Sequence, residues 1–222
     1  MSYILSRRSI EKKEDEIPEG CLFYVPLSEG RFNDEISGKQ GILTGYGSML
    51  WNSNVNMYGF TSPGANQYIM SYDVALNASQ FPTNSQTVLA RLMKMGTRAN
   101  NAGTATLLPF SLSETNGYSS IININPTGYA NPQTWDEGIN ETAAVWTGTH
   151  RKIYANGRLI IYLSAPQVVT PHNAYVNKTA IVFGNTFHGS GWQTAQYYMK
   201  EYYIINREMS EQEIFNFYKW KL

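Results

Sequence analysis

The stretch Arg151-Lys152-Ile153-Tyr154-Ala155-Asn156-Gly157-Arg158-Leu159-Ile160-Ile161-Tyr162 decides how the rest of the chain is read. Two runs rich in β-branched and aromatic residues flank Asn156-Gly157. That dipeptide accepts positive φ at both central positions of a type I′ turn, whose twist matches that of paired strands. The segment is therefore a two-residue β-hairpin, and the remaining chain is read for further strands.

Strand signals extend outward in both directions. Residues 179–183 and 196–206 follow the hairpin, and the second run carries Tyr197, Tyr198, Tyr202 and Tyr203. Upstream, residues 21–27, 67–72, 86–95, 104–112 and 118–124 read as strands bounded by Gly, Asn and Pro clusters. Within residues 86–95, Val88, Ala90 and Leu92 share one face, opposite Leu89, Arg91 and Met93. That strand has a clear core face and an outer face that is not wholly polar. One helix closes the chain. Ser210 is its N-cap and Glu213 completes a capping box, with Met209 and Ile214 at the staple positions. Ile214, Phe215 and Tyr218 then form an apolar stripe that can lie on a sheet.

Composition agrees with a many-stranded single domain. The chain has 222 residues, including 16 Tyr, 9 Phe, 5 Trp and 18 Gly. Aromatic side chains suit a pleated, half-buried surface, and glycine supplies turns. Lys plus Arg equals Asp plus Glu at 17 each, and this balance demotes a nucleic-acid binder, which carries a basic excess. Cys21 is the only cysteine, so the chain can hold neither an internal disulfide nor a Cys-rich metal site. Beside Leu22 and Phe23 it reads as a small buried apolar residue. No apolar run is long enough for a membrane span.

Residues 1–20 form a charged N-terminal arm, with Arg7, Arg8 and the run Glu11-Lys12-Lys13-Glu14-Asp15-Glu16. Such a segment buries too little apolar surface to order itself and is expected to order on a partner. The character changes after Pro18-Glu19-Gly20, so the sandwich is assigned to residues 21–222. The N-terminus has no apolar core of a secretory signal, which leads to the expectation of a complete protein made in the cytoplasm.

Three segments, in order, resemble the laminin-G-like (LamG) members of the concanavalin A-like lectin/glucanase superfamily. The first is Leu22-Phe23-Tyr24-Val25-Pro26-Leu27 followed by Asp34, Ser37-Gly38 and Gly41-Ile42-Leu43-Thr44-Gly45. The second is the hairpin Lys152-Ile153-Tyr154-Ala155-Asn156-Gly157. The third is Val182-Phe183-Gly184 followed by Ile204-Ile205-Asn206-Arg207-Glu208-Met209-Ser210-Glu211-Gln212-Glu213-Ile214. The resemblance implies an all-β, two-sheet antiparallel jelly-roll sandwich with a short C-terminal helix. Folds of this type host lectins, adhesion modules, glycosidases and virion decoration domains, so function has to be argued from sites.

Three kinds of site bear on function. Related glucanases set paired carboxylates on one strand as Glu-x-Asp-x-x-Glu; this chain has no such motif. Trp135-Asp136-Glu137 reads as a solvated turn, so no catalytic residue is assigned and the protein is expected not to be an enzyme. Calcium is common in related lectins, through Asp, Asn and backbone oxygens. Here Lys200 stands where many relatives carry an Asp, and Asp34 beside Asn33 reads as a loop-capping pair, so no metal or other cofactor is assigned, and calcium is left open without residues that argue for it. Sugar recognition needs an exposed aromatic plate with amide or carboxylate neighbours. Tyr129, Asn131, Trp135 and Asp136 offer that chemistry in one presumed loop, and His188, Trp192 and Gln193 in another. Against both stands the fact that most Trp and Tyr in a β-sandwich are core.

The expectation is a non-enzymatic, lectin-like binding or assembly module. Its partners would be a glycan, or other virion or surface proteins reached through residues 1–20, with neither nucleic acid nor a membrane span involved. A lectin-type fold without a signal points to a bacteriophage virion component. The alternatives are a bacterial surface or secreted carbohydrate-binding protein and a divergent glycoside hydrolase.

Overall fold

The computed structural model describes residues 17–43, 47–61, 69–74, 85–94, 110–114, 117–119, 139–147, 149–164, 179–183, 185–188, 191–194 and 196–219. The strands in chain order are β1 (Cys21–Val25), β2 (Ile42–Leu43), β3 (Ser48–Asn52), β4 (Met57–Thr61) and β5 (Met70–Tyr72). Then come β6 (Gln86–Lys94), β7 (Phe110–Glu114), β8 (Gly117–Ser119), β9 (Ile139–Trp146) and β10 (Arg151–Ala155). The last are β11 (Arg158–Leu163), β12 (Thr179–Phe183), β13 (Asn185–His188), β14 (Gly191–Thr194) and β15 (Gln196–Ile205), before helix α1 (Glu211–Tyr218). No helix among the described residues is long and apolar enough to cross a membrane.

An eight-stranded sheet runs β11-β10-β9-β6-β15-β4-β3, with β1 also paired to β15. A five-stranded sheet runs β2-β5-β12-β7-β8, and β13 with β14 forms a separate hairpin. Pairing between neighbours is antiparallel throughout, as expected of a jelly-roll sandwich. β15 is the central strand of the large sheet. Its one edge pairs with β6, while the other is divided: Gln196–Met199 register with β4 and Tyr202–Ile205 with β1.

The β10–β11 hairpin turns through Asn156 and Gly157, whose φ values are 48° and 74°. The Asn156 side chain adds a second anchor. Its Oδ1 accepts from the Glu141 backbone amide at 2.9 Å, beside the bond that the Asn156 backbone amide donates to the Glu141 carbonyl at 3.0 Å. Asparagine thus satisfies the turn and also ties it to β9.

Two apolar clusters lie on opposite faces of the large sheet. Between the sheets, Phe23, Val25, Phe60, Val88, Ala90, Met199, Tyr202 and Ile204 pack with Met70 and Tyr72 of β5. On the outer face, Leu89, Ala143, Val145, Tyr154, Tyr203 and Ile205 lie under Met209, Ile214, Phe215 and Tyr218. The apolar outer face of β6 is therefore the seat of α1. A bulge makes this two-sided burial consistent along β15. Met199 pairs with Leu92 and Glu201 with Arg91, leaving Lys200 as the extra residue and reversing the alternation beyond it.

The loop after β1 is organised by Asp34, which is fully buried. Its carboxylate accepts from the Tyr24 amide at 2.9 Å, the Ile36 amide at 3.2 Å and the Ser37 amide at 3.0 Å, and from the Ser37 hydroxyl. This is the loop-capping role expected for it. Cys21 is half-buried rather than core, because its strand runs along the margin of the helix-covered cluster. Burial pushes its thiol up to about 12, and Sγ donates to the Phe23 carbonyl at 3.2 Å.

Candidate functional site

Helix α1 covers only part of the outer face of the large sheet. The boundary is a charged cluster. Arg91 bonds Glu141 at 2.9 Å and Glu201 at 2.8 Å, and its guanidinium stands 5.6 Å from the centre of the Tyr218 ring. Burial alone would lower the Arg91 pKa, but Glu201 and Glu141 beside it outweigh burial and hold the guanidinium above its ordinary value. The Tyr218 hydroxyl reaches the carbonyls of Thr142 at 2.7 Å and Ala90 at 3.2 Å. Both carboxylates are committed to this ion pair, so the cluster closes the helix end rather than forming a reactive pair. The unpaired carboxylates that hydrolysis would require are not offered here.

Beyond that boundary no described element covers the outer face. The registers of five strands align Ile139, Met93, Tyr198, Gly59 and Leu50 in one row. Leu50 is 68% exposed and Ile139 47%, which is high for large apolar residues placed in strands. Gly59 stands between Tyr198 and Leu50 without a side chain, so the row has a gap at that point. Glycine inside a strand marks close approach of a ligand or another backbone, at a cost of roughly 0.5–1 kcal/mol relative to alanine. The gap opens into a depression of about 370 Å³ lined by Leu50, Gly59, Tyr198, Ser48, Asn52 and Thr61 among others.

Polar groups in this depression are oriented by one another. The Asn54 amide donates to Asn52 Oδ1 at 3.0 Å, which turns the Asn52 amide nitrogen toward Tyr198. Asn52 Nδ2 then donates to the Tyr198 hydroxyl oxygen at 3.2 Å. The hydroxyl proton is left to point elsewhere. An aromatic ring, an aliphatic wall and neutral hydrogen-bonding groups around a shallow slot suit a small amphipathic ligand.

Of the residues expected from the sequence, those the structure describes do not line this depression. Tyr129, Asn131, Trp135 and Asp136 lie outside the described residues, as do Glu137 and residues 1–16. His188, Trp192 and Gln193 are not in a loop. They belong to the β13–β14 hairpin, where His188 registers with Gly191, Phe187 with Trp192 and Thr186 with Gln193. The Thr and aromatic content of both runs, with Gly at the turn, is what makes strands there. The missed residues come from β3, β4 and, with Tyr198, β15. A signal was present in Met49-Leu50-Trp51-Asn52 and Met57-Tyr58-Gly59-Phe60, two short apolar–aromatic runs around the Asn-rich segment 52–56.

The fold defines the class: a two-sheet antiparallel β-sandwich. Among solved structures the chain is similar to binding domains of botulinum neurotoxins. The serotype D binding domain matches with a TM-score of 0.55 at 10% identity, over 91% of this chain and 52% of that one. The type C toxin, whose cell uptake is described as dependent upon interaction with two ganglioside molecules, matches at 0.52 and 12% identity, over 91% and 52%. The type DC binding domain in complex with SialylT matches at 0.53 and 12% identity, over 90% and 52%. The chain thus spans about half the length of these domains, and at such identities the likeness is one of fold. No family model matches the chain, and neither does any curated protein.

Proposed function

We propose that this protein is a non-enzymatic carbohydrate-binding module of laminin-G-like character, with its site in the depression beside Tyr198. The observation that carries the reading is the glycine gap. A strand-interior glycine leaves an oriented tyrosine, an asparagine and a leucine around an unfilled slot on an exposed sheet face. The fold likeness supports it, since the type C and type DC structures are described with ganglioside and with SialylT. The ion-paired Arg91–Glu141–Glu201 cluster speaks for binding over hydrolysis. A virion or surface setting, with residues 1–20 as the attaching arm, is the context we favour because those residues carry dense charge and little apolar surface.

A glycan array probed with the full chain tests the binding reading. Binding to defined saccharides is expected, and should be abolished by Gly59→Val. Valine suits a strand, so this variant should melt at the wild-type temperature or above. An array without saccharide binding overturns the proposal.

A further inference from the structure

We infer that the slot over Gly59 takes an uncharged saccharide ring, held by donation from the Tyr198 hydroxyl, and discriminates against sialylated and other acidic sugars. This rests on the carbohydrate-binding reading above and goes on to specify the chemistry of its ligand.

Asn52 Oδ1 is occupied by the Asn54 amide, so the side-chain nitrogen is the group presented to Tyr198. Nitrogen donates, and the tyrosine oxygen therefore accepts. Among the described residues no further group takes the tyrosine proton, so the hydroxyl faces the slot as a donor. The matching group on a ligand is an acceptor: a sugar hydroxyl, ring oxygen or acetamido carbonyl. Ser48 and Ser53, which also border the slot, can donate or accept and suit vicinal hydroxyls.

Charge decides the class of sugar. None of the described residues lining the slot is ionisable at neutral pH, since its side-chain polar groups come from serine, threonine, asparagine, tyrosine and tryptophan. Arg91, a described guanidinium on this face, is already bonded to Glu141 and Glu201. Lys200 is the bulge residue and does not line the slot. A sialic acid carboxylate entering here would lose part of its hydration, and no described lining residue offers it a cation in return. A neutral pyranose has no such charge. Its C–H faces meet the tyrosine ring and Leu50, and its hydroxyls meet the polar rim. A slot of about 370 Å³ has room for one or two rings rather than a long oligosaccharide.

The experiment is titration calorimetry of the full chain with lactose, N-acetyllactosamine, cellobiose and methyl α-mannoside, and with the 3′-sialylated forms of the first two. At least one neutral sugar is expected to bind, its affinity nearly independent of salt between 50 and 500 mM. Its sialylated form should bind at least tenfold more weakly. Tyr198→Phe, which keeps the ring and removes the donor, should weaken neutral binding about tenfold, the value of one hydrogen bond left unmade to a desolvated partner. Its melting temperature should not change. Tighter, strongly salt-dependent binding of the sialylated forms overturns this inference while leaving the carbohydrate-binding reading intact. So does neutral binding that Tyr198→Phe leaves unaltered. If neither these sugars nor the array yields binding, both readings fall.

Discussion

Asp34 shows how a single carboxylate can organise a loop that has no regular structure of its own. It accepts from three backbone amides and one hydroxyl while fully buried, so it belongs to the framework of the chain. Asp34→Ala would leave those amides without their acceptor and should destabilise the domain by about 3 kcal/mol. Equilibrium urea unfolding checks this, and a change below about 1 kcal/mol would mean that water replaces the carboxylate. The role was readable from the short Asx side chain beside Asn33 and before Ser37-Gly38. Glu201 was not readable in the same way. Its neighbour in sequence is Lys200, yet its partner is Arg91 on the adjacent strand, and only the β15 bulge brings the two together.

At the scale of elements, α1 is the part most nearly written in its own residues. Ser210 Oγ accepts from the Glu213 amide at 3.3 Å, and the Glu213 carboxylate accepts from the Ser210 amide at 2.7 Å. Ser210→Ala should therefore lower stability by about 1 kcal/mol in chemical denaturation, with the sheet otherwise unchanged. The capping box also makes a pH prediction. Arg207 at 2.8 Å and the bonds from Ser210 hold the Glu213 carboxyl at about 2, below its ordinary 4.5. The folded state thus binds that proton more weakly than the unfolded state. The stabilisation is complete above pH 4.5 and disappears as pH falls toward 2. Wild type should melt above Glu213→Gln at pH 6, and the gap should close as pH falls toward 2. A gap that stays constant over that range would show that the charge of Glu213 does not support the cap. What the pattern of the helix left open was its seat. The apolar outer face of β6 pointed to a covering element, and the clustering of Leu89 with Ile214, Phe215 and Tyr218 identifies it as α1.

For the whole molecule, the clearest prediction concerns the boundary of the charged arm. The Cys21 amide donates to the Pro18 carbonyl at 3.1 Å, the Asn206 amide to the Gly20 carbonyl at 2.9 Å, and Arg207 Nε to the Glu19 carbonyl at 3.1 Å. Residues 18–20 are thus stitched to the corner before α1. Deleting residues 1–16 should keep these bonds, the melting temperature and saccharide binding. If those residues attach the module to a virion or cell surface, the truncated protein should no longer co-sediment with it. Undiminished co-sedimentation would reject that role, and a large drop in melting temperature would make residues 1–16 part of the sandwich. Strand content, the Asn156-Gly157 turn and the capped helix were determined by the sequence itself, because turn chemistry, alternation and capping act between residues near one another in the chain. Two strands of the site face, β3 and β4, are too short and too interrupted by Asn and Gly to stand out by periodicity. Tertiary structure alone decided the slot. It exists because Gly59, Leu50 and Tyr198 come into register across three strands, and Tyr198 lies far along the chain from the other two. Such a register is set by long-range pairing and core burial, which no local run of residues encodes.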